Sequence, residues 1–285
     1  MIEDFCVFIL THGRADNVKT FDTLKAQKYS GPVILVIDDE DKQGDEYIRK
    51  FGRENVEIFN KDEAAKKFDR GDNFGKKGAI IYARNACFDI ARKRGFRYFI
   101  ELDDDYTSFT YRFDEKLNYV ENKMGNVEEV WRIMLDFFKR ATQLTTIAMA
   151  QGGDYIGGGS GSLGRCIPKR KAMNSFICDT ERQFQFVGTI NEDVNTYTSC
   201  GRRGEIFLTV PLVCLHQVTT QKNRGGMTEL YLDSGTYLKS FYSVMYTPSA
   251  VKIAVMPGNV EKRLHHNITW DKCAVKIIPE RFRKK

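Results

Sequence analysis

The sequence lacks the features of a membrane or secreted protein. No apolar run reaches the roughly 18–20 residues that a helix needs to cross a bilayer. The longest runs, such as Phe5–Leu10, have the length of a strand. The N-terminus begins acidic, as Met1-Ile-Glu-Asp, without the basic segment that opens a signal peptide. We therefore expect a soluble, cytoplasmic protein with no membrane partner.

The seven cysteines lack the spacing of a disulfide framework or a structural zinc site. Their number is odd, and no two of them form a Cys-x-x-Cys pair. Cys6, Cys87 and Cys214 lie inside apolar runs, where a thiol behaves as a small hydrophobic side chain. We expect free cysteines in the core.

The net charge of +6 is concentrated at the C-terminus. Residues 261–285 contain eight Lys or Arg and three Asp or Glu. A solvated chain end is the ordinary explanation, and contact with phosphate groups is the alternative.

Alternating strand and helix patterns fill the first hundred residues and predict an α/β fold. Four short apolar runs are typical of buried parallel strands. They are Phe5–Leu10, Val33–Ile37, Val56–Phe59 and Arg97–Leu102. Helices are predicted at 17–27, 41–51 and 78–94, and Gly95 can end the last of these.

The rest of the chain alternates less regularly. Helices are predicted at 127–142 and 228–246, and strands at 145–151 and 205–215. The glycine-rich stretch 152–162 is either a loop beside a ligand or a surface connection. No internal repeat or low-complexity linker is present. We therefore expect a core of residues 1–218 and a helical, basic extension of residues 219–285 packed on it.

Three consecutive carboxylates, Asp103, Asp104 and Asp105, follow the fourth predicted strand. Open α/β sheets bind ligands beyond the carboxyl ends of their strands. Adjacent carboxylates raise one another's pKa values, and a divalent cation removes that repulsion. Mg²⁺ or Mn²⁺ takes one or two carboxylates and completes its shell with water and substrate phosphate. A metal site is the prediction, and a solvated acidic turn is the alternative.

The turn after the first strand, Thr11-His-Gly-Arg14, offers hydroxyl, backbone N–H and guanidinium groups to a nucleotide. It matches neither the Gly-x-Gly-x-x-Gly fingerprint nor a P-loop, which disfavours a dinucleotide cofactor and a P-loop ATPase. Asp38 and Asp39 end the second strand. Their carboxylates suit a base N–H or a ribose hydroxyl, and a polar turn is the alternative.

Further polar side chains have two interpretations each. Arg84 and Asn85 interrupt an apolar helix and either face the ligand crevice or pair with local groups. Glu192 and Asp193 either favour a helix N-terminus by their charge or include a general base for an acceptor hydroxyl. His216 ends an apolar strand as a structural residue or as a further metal ligand.

The order of these segments resembles that of GT-A-fold glycosyltransferases, which use nucleotide sugars and usually Mn²⁺ or Mg²⁺. The resemblance covers roughly residues 5–218 and implies a Rossmann-like, mixed but mostly parallel sheet flanked by helices. It implies donor binding by Thr11, His12, Gly13, Arg14, Asp38, Asp39, Arg84, Asn85 and Asp104. It implies metal binding by Asp103, Asp105 and His216. It also implies catalysis by Glu192 and Asp193, with Asp193 as the base of an inverting enzyme.

The segments Thr-His-Gly-Arg, Ala-Arg-Asn and Leu-Asp-Asp-Asp-Tyr, the compact size and the basic tail resemble, more narrowly, phage TET-associated glycosyltransferases. These enzymes add sugars to 5-hydroxymethylpyrimidines in phage DNA. The resemblance implies a UDP-sugar donor, double-stranded DNA with 5-hydroxymethylcytosine as acceptor, and the cytoplasm of a phage host. Acceptor contacts are expected at Gly158, Gly159, Arg165, Lys169, Arg202, Lys222 and Arg224.

Three other functions compete with this one. The same chemistry on a glycan or protein acceptor is disfavoured mildly by the basic tail. A nucleotidyltransferase needs a loop rich in glycine and lysine after the first strand, which residues 11–17 do not supply. A non-catalytic DNA-binding module leaves the strand-end carboxylates without a purpose, because they repel phosphate. The transferred sugar, the stereochemistry and the oligomeric state have no signature in the sequence.

Overall fold

A computed structural model describes residues 1–72, 80–116, 118–151, 174–218, 237–256, 263–277 and 280. Within these residues the chain forms a nine-stranded sheet and a separate two-stranded hairpin. The sheet contains β1 (Phe5–Leu10), β2 (Val33–Asp38), β3 (Val56–Phe59), β4 (Tyr98–Asp103), β5 (Tyr106–Phe113), β6 (Tyr119–Lys123), β7 (Leu144–Gln151), β8 (Phe176–Asp179) and β9 (Ile206–Gln217). The hairpin contains β10 (Val251–Met256) and β11 (Arg263–Ile268).

The described helices flank the sheet and follow the hairpin. They are α1 (Lys19–Ala26), α2 (Gly44–Phe51), α3 (Lys61–Ala65), α4 (Ile81–Arg94), α5 (Val127–Arg140), α6 (Glu192–Arg202), α7 (Tyr237–Tyr246) and α8 (Trp270–Cys273). Among them, none has both the length and the apolar content that crossing a bilayer requires.

The sheet is mixed, with the strand order β3-β2-β1-β4-β8-β7-β9-β5-β6. The first four strands in this order are parallel to one another, and β7 is parallel to β9. Among the described strands of this sheet, β5 and β8 run in the direction opposite to that of the other seven. The predicted fold class, a mixed and mostly parallel α/β sheet flanked by helices, is confirmed.

Strand β1 lies at the centre of the core because both of its faces are covered. Its side chains alternate between two hydrophobic clusters on opposite faces of the sheet. Phe5 belongs to the cluster that contains Trp131 of α5, and Phe8 belongs to the cluster that contains Phe88 of α4. Burial on both faces explains why the strand is a continuous apolar run rather than an alternating one.

The first four strands lie close to their predicted positions, but several other elements were not predicted. Helix α4 ends at Arg94, and Gly95 adopts the left-handed conformation that ends helices. Strands β5 and β6 were missed, and β6 is a short, mostly exposed edge strand that lacks an apolar signal. The C-terminal part contains the hairpin β10–β11 in addition to helices, and the sequence analysis predicted no strand there.

Helices α6 and α8 meet at a glycine. A Cβ atom added to Gly201 would lie 2.2 Å from the backbone carbonyl oxygen of Cys273. Because that oxygen belongs to the backbone, it moves only if α8 moves. Gly201 therefore sets the distance at which the C-terminal segment packs on α6.

We predict that Gly201→Ala lowers the free energy of unfolding by about 1–3 kcal/mol, because the added methyl group overpacks a closed contact. Gly125→Ala is the matched control, since a Cβ at Gly125 meets no atom within 4 Å. Urea denaturation of both variants measures the difference. Equal stability of the two variants would contradict the contact.

Candidate active site

The carboxyl ends of β2, β1 and β4 lie side by side because these three strands are parallel neighbours. The residues that follow β1 and β4 are in direct contact. The Thr11 hydroxyl donates to Asp104 Oδ2 over 2.7 Å, and Arg14 Nη1 donates to Asp104 Oδ1, also over 2.7 Å. Asp104 is only 3% exposed. The middle aspartate of the acidic run therefore holds the Thr11–Arg14 turn against β4.

A second set of contacts joins the same turn to the end of β2. His12 Nδ1 lies 2.7 Å from Asp38 Oδ2, and Lys61 Nζ lies 3.1 Å from Asp38 Oδ1. The hydrogen bond with Asp38 raises the pKa of His12. Burial opposes the charge of Asp38, but His12 and Lys61 together bring the pKa of Asp38 below its usual value. The buried Lys61 follows β3 directly, and the sequence analysis did not single it out.

Neighbouring residues complete this edge of the site. The backbone N–H of Gly13 donates to Asp41 Oδ2 over 2.7 Å, and its φ of +65° is in the region that favours glycine. The carboxylate of Asp39 accepts the backbone N–H of Lys61 over 3.0 Å and the side-chain amide of Asn60. Asp41 and Asn60 were not predicted, although both follow the carboxyl end of a strand.

Arg84 of α4 lies at the centre of a cluster of three carboxylates. Its side chain is 1% exposed. The Nε atom donates to Glu192 over 3.2 Å, Nη1 to Glu101 over 3.4 Å, and Nη2 to Asp103 over 3.0 Å. Burial opposes the charge, but Asp103, Glu192 and Glu101 raise the pKa of Arg84. Arg84 therefore points at protein carboxylates, which differs from both alternatives left open by the sequence.

The cluster contains three carboxyl groups but only one guanidinium. Burial is the largest cause that raises the pKa of Glu101, to about 8, although Arg84 opposes it. Burial also raises the pKa of Asp103, to about 7, against Arg84 and with the help of Asp105. No described residue forms a hydrogen bond with Glu101 Oε1. The raised pKa values show that one guanidinium does not compensate all three groups, so a bound cation would favour their ionised form.

Helix α6 carries the predicted catalytic acids in its first turn. Glu192 contacts Arg84, as described above, and burial raises its pKa. Asp193 is buried, and its Oδ1 accepts the backbone N–H of Val194 over 2.7 Å. Asn191 precedes them with a left-handed φ of 61°, and its side chain makes no capping hydrogen bond. The two acids therefore lie on one short turn, one of them tied to Asp103 through Arg84.

Two other predicted site residues have structural partners. Asn85 donates to the carbonyl oxygens of Ile81 and Phe186 and accepts the N–H of Phe186, which is the local pairing left open above. His216 Nε2 lies 3.1 Å from the Thr110 hydroxyl. His216 is paired in register with Ser108, so its ring is turned along β5 away from Asp105.

Of the predicted acceptor-binding residues, only Arg202 lies in the part of the chain that the structure describes. Arg202 is exposed at the last turn of α6. The eleven residues of this helix separate it from Glu192 by roughly 15 Å at the usual rise per residue. The remaining acceptor positions lie outside the described residues. They are Gly158, Gly159, Arg165, Lys169, Lys222 and Arg224.

The residues present fit a hard divalent cation that is shared with a substrate. Among the described residues, no group of three His, Cys, Asp or Glu side chains forms a preassembled metal site. Mg²⁺ needs only one or two carboxylates when phosphate and water supply the other ligands. Asp103 bonds Arg84 through Oδ1 and remains 21% exposed, and Asp105 is half-buried. Both carboxylates can therefore face a ligand.

Comparison with known proteins gives one family match and several loosely similar structures. UDP-bound TarS 1-349 from S. aureus has 11% identity and a TM-score of 0.45, covering 85% of this chain and 64% of that chain. This chain thus spans less than two thirds of its length. Glucosyl-3-phosphoglycerate synthase from Mycobacterium tuberculosis, with Mn²⁺, UDP and phosphoglyceric acid, has 10% identity and a TM-score of 0.46, with coverages of 93% and 86%.

Mannosyl-3-phosphoglycerate synthase from Rubrobacter xylanophilus has 13% identity and a TM-score of 0.41, covering 93% of this chain and 86% of that chain. Comparison with curated protein sequences found no match. The family assignment rests on none of these. The model of the family described as TET-Associated Glycosyltransferase matches residues 5–226, more than three quarters of the chain. The chain therefore belongs to the TET-associated glycosyltransferase family, and the predicted enzyme class, a glycosyltransferase, is confirmed.

Proposed function

We propose that this glycosyltransferase moves a sugar from a UDP-sugar to the hydroxymethyl group of 5-hydroxymethylcytosine in double-stranded DNA. The observation that carries the donor half of this proposal is the contact between the ends of β1, β2 and β4. Thr11 and Arg14 both donate hydrogen bonds to Asp104, and His12 is hydrogen-bonded to Asp38. This edge of a parallel sheet is where α/β folds bind nucleotides.

Charge and family support the acceptor half. The net charge of +6 favours a polyanion such as DNA over a neutral glycan. The family description, TET-associated, links the enzyme to the chemistry of modified pyrimidines. The hydroxymethyl group at C5 of the base projects into the major groove, so the base is reached either in place or after flipping.

Asp103 and Asp105 are the residues that would hold Mn²⁺ or Mg²⁺. Such an ion, when bound, neutralises charge on the departing diphosphate. Arg84 holds Asp103 by one carboxylate oxygen, which fixes the direction in which the other oxygen points. His216 is the third proposed ligand, and its Nε2 lies 3.1 Å from the Thr110 hydroxyl.

Asp193 is the proposed general base for the acceptor hydroxyl. Its neighbour Glu192 pairs with Arg84, whereas none of the described cationic side chains forms an ion pair with Asp193, whose Oδ1 accepts only the N–H of Val194. A base needs a carboxylate that accepts a proton within hydrogen-bond reach of the hydroxyl. In this scheme the proton passes from the acceptor hydroxyl to Asp193 as the hydroxyl oxygen attacks the anomeric carbon.

The experiment that tests the acceptor is mass spectrometry of nucleosides after reaction. DNA duplexes containing 5-hydroxymethylcytosine, 5-methylcytosine or cytosine are incubated with enzyme, Mn²⁺ and a panel of UDP-sugars. We expect one added sugar on 5-hydroxymethylcytosine alone, because the other two bases have no hydroxyl group. No adduct with any donor would remove DNA as the acceptor and favour a glycan or protein acceptor.

The metal assignment predicts that Asp103→Ala combined with Asp105→Ala abolishes saturable Mn²⁺ binding in the presence of UDP. Electron paramagnetic resonance of free Mn²⁺ measures this without any acceptor. Asp136→Ala, an exposed aspartate on α5, is the control and should bind as the wild type does. Unchanged Mn²⁺ binding by the double variant would show that these carboxylates are not the metal ligands.

The base assignment predicts that Asp193→Asn lowers kcat by about 100-fold or more, since a positioned base contributes at least that much. Binding of UDP should be unchanged, because the strand-end residues that contact one another at the donor site remain intact. Asp22→Asn, on the exposed face of α1, serves as the control. A wild-type kcat in Asp193→Asn would assign the base elsewhere.

A further inference from the structure

Helix α7 presents a row of buried hydroxyl groups, which we call the α7 hydroxyl row. It consists of Ser240 and Ser243 of α7 and of Thr247, the residue directly after the helix, whose N–H bonds the Ser243 carbonyl oxygen. This spacing places all three on one face. Their exposures are 1%, 0% and 0%. A fully buried polar row is unusual on a helix near the end of a chain, since apolar residues normally cover such a contact.

The α7 hydroxyl row packs on α6, the helix that begins with Glu192 and Asp193. Thr247 Oγ1 lies 3.1 Å from the Thr198 hydroxyl and 3.2 Å from the Ser199 hydroxyl. Small side chains and short hydrogen bonds bring the two helices close together. Apolar packing alone would leave α6 free to slide or rotate, whereas paired hydroxyl groups fix its register.

The contact reaches the residue just before the two acids. The side-chain amide of Asn191 donates to Ser243 Oγ. Asn191 adopts a left-handed φ of 61°, and none of the described residues forms a hydrogen bond with its Oδ1. Asparagine is among the best N-cap residues when its backbone is extended. Here it caps nothing, because α7 holds its side chain and its backbone is left-handed.

A second contact fixes the loop that leads into α6. The hydroxyl groups of Thr189 and Tyr242 both donate to Asp72 Oδ2. Asp72 belongs to the loop after α3, whose backbone carbonyl groups at Asp69 and Arg70 accept the N–H groups of residues 188 and 189. Two adjacent residues of α7 therefore hold the chain on either side of Ile190. Tyr242 is linked to Thr189 through Asp72, and Ser243 contacts Asn191 directly.

We propose that α7 is a positioning element of the active site, in which Ser243 holds Asn191 and thereby sets the first turn of α6. Helix α7 lies beyond residues 5–226, which the family model matches. The proposal rests on the proposed function in one respect, namely the role of Asp193 as base. It makes Ser243 and Tyr242 positioning residues, because neither belongs to the donor-site contacts described above.

The physical consequence of losing the contact is specific. Without the Ser243 hydroxyl, Asn191 is free to return to an extended backbone and to cap α6 with its own side chain. The first turn then rotates, which moves Glu192 and Asp193 relative to the sheet. The contacts of Thr11 and Arg14 with Asp104 and of His12 with Asp38 remain, because they lie at the ends of β1, β2 and β4 and involve no residue of α6.

The test compares Ser243→Ala with Met245→Ala, a side chain on the same helix that is 53% exposed. We expect Ser243→Ala to lower kcat about tenfold, because a small displacement of a catalytic group has large effects. The Kd for UDP should stay within about twofold of the wild-type value, because the displaced group is the proposed base Asp193, which acts on the acceptor hydroxyl. Amide hydrogen exchange of residues 189–196 should become faster, and Met245→Ala should change none of these.

A double-mutant cycle separates positioning from general stability. Glycine adopts a positive φ without help, so Asn191→Gly no longer depends on Ser243 for its backbone conformation. In that background Ser243→Ala should cause no further loss of kcat and no further rise in exchange. Additive effects of the two substitutions would contradict the proposed route through Asn191.

Two results would overturn the proposal outright. One is wild-type kcat and wild-type exchange of residues 189–196 in Ser243→Ala. The other is a parallel loss of UDP binding and faster exchange across the whole protein, which shows a general structural role. Exchange and UDP binding need no acceptor. They decide the role of α7 even if the enzyme transfers no sugar to DNA, in which case only the proposed acceptor fails.

Discussion

The contact on which the site depends is the buried guanidinium of Arg84 among three carboxylates. It joins a helix on one face of the sheet, the end of the central strand β4 and the start of α6. A buried ion pair contributes little to stability by itself, but removal of one partner leaves the others uncompensated. In this protein three partners would be left, because Glu101, Asp103 and Glu192 all lie within 3.4 Å of the same side chain.

This arrangement also connects the two halves of the proposed chemistry. Asp103 belongs to the side of the site that would hold a metal and the donor diphosphate. Glu192 belongs to the helix turn that carries the proposed base. One planar guanidinium with several donors in fixed directions can bond both at once, which a lysine cannot do. The distance between the donor and acceptor sides is therefore set by Arg84 rather than by loop conformation.

The donor side is held together by a different set of contacts, which need no buried excess of charge. Asp104 forms an ion pair with Arg14, and Asp38 pairs with both Lys61 and His12. The three aspartates therefore have different surroundings. Both oxygens of Asp104 accept hydrogen bonds from the protein, whereas Asp103 and Asp105 are partly exposed and can face a ligand. Three adjacent carboxylates are tolerated because each has different surroundings.

Much of the fold could be predicted because β1 to β4 are covered on both faces and therefore appear as apolar runs. Strand β6 could not, since an exposed edge strand has no such signal. Among site residues, the sequence indicated that Asp103, Arg84 and Glu192 matter but not that they touch. Contacts between residues that are 17 to 108 positions apart depend on the packing of α4 against the sheet. Periodicity does not encode that packing.

The α7 hydroxyl row is a second feature whose sequence pattern is visible but whose packing is not. The spacing of Ser240, Ser243 and Thr247 is visible in the sequence and indicates a polar helix face. Such a face is normally solvated, and only the contact with α6 reveals that it is buried. Asparagine is a common helix cap, but the left-handed backbone of Asn191 gives its side chain a partner on α7 instead.

The most direct measurement of the central claim is the free energy of unfolding of Arg84→Met and Arg84→Lys, together with Mn²⁺-dependent binding of UDP. We expect Arg84→Met to lose about 3–5 kcal/mol, the usual cost of breaking a buried ion pair, and to lose UDP binding. Arg84→Lys should keep part of the stability but bind UDP more weakly than the wild type. An Arg84→Met variant with wild-type stability and wild-type UDP binding would contradict the account.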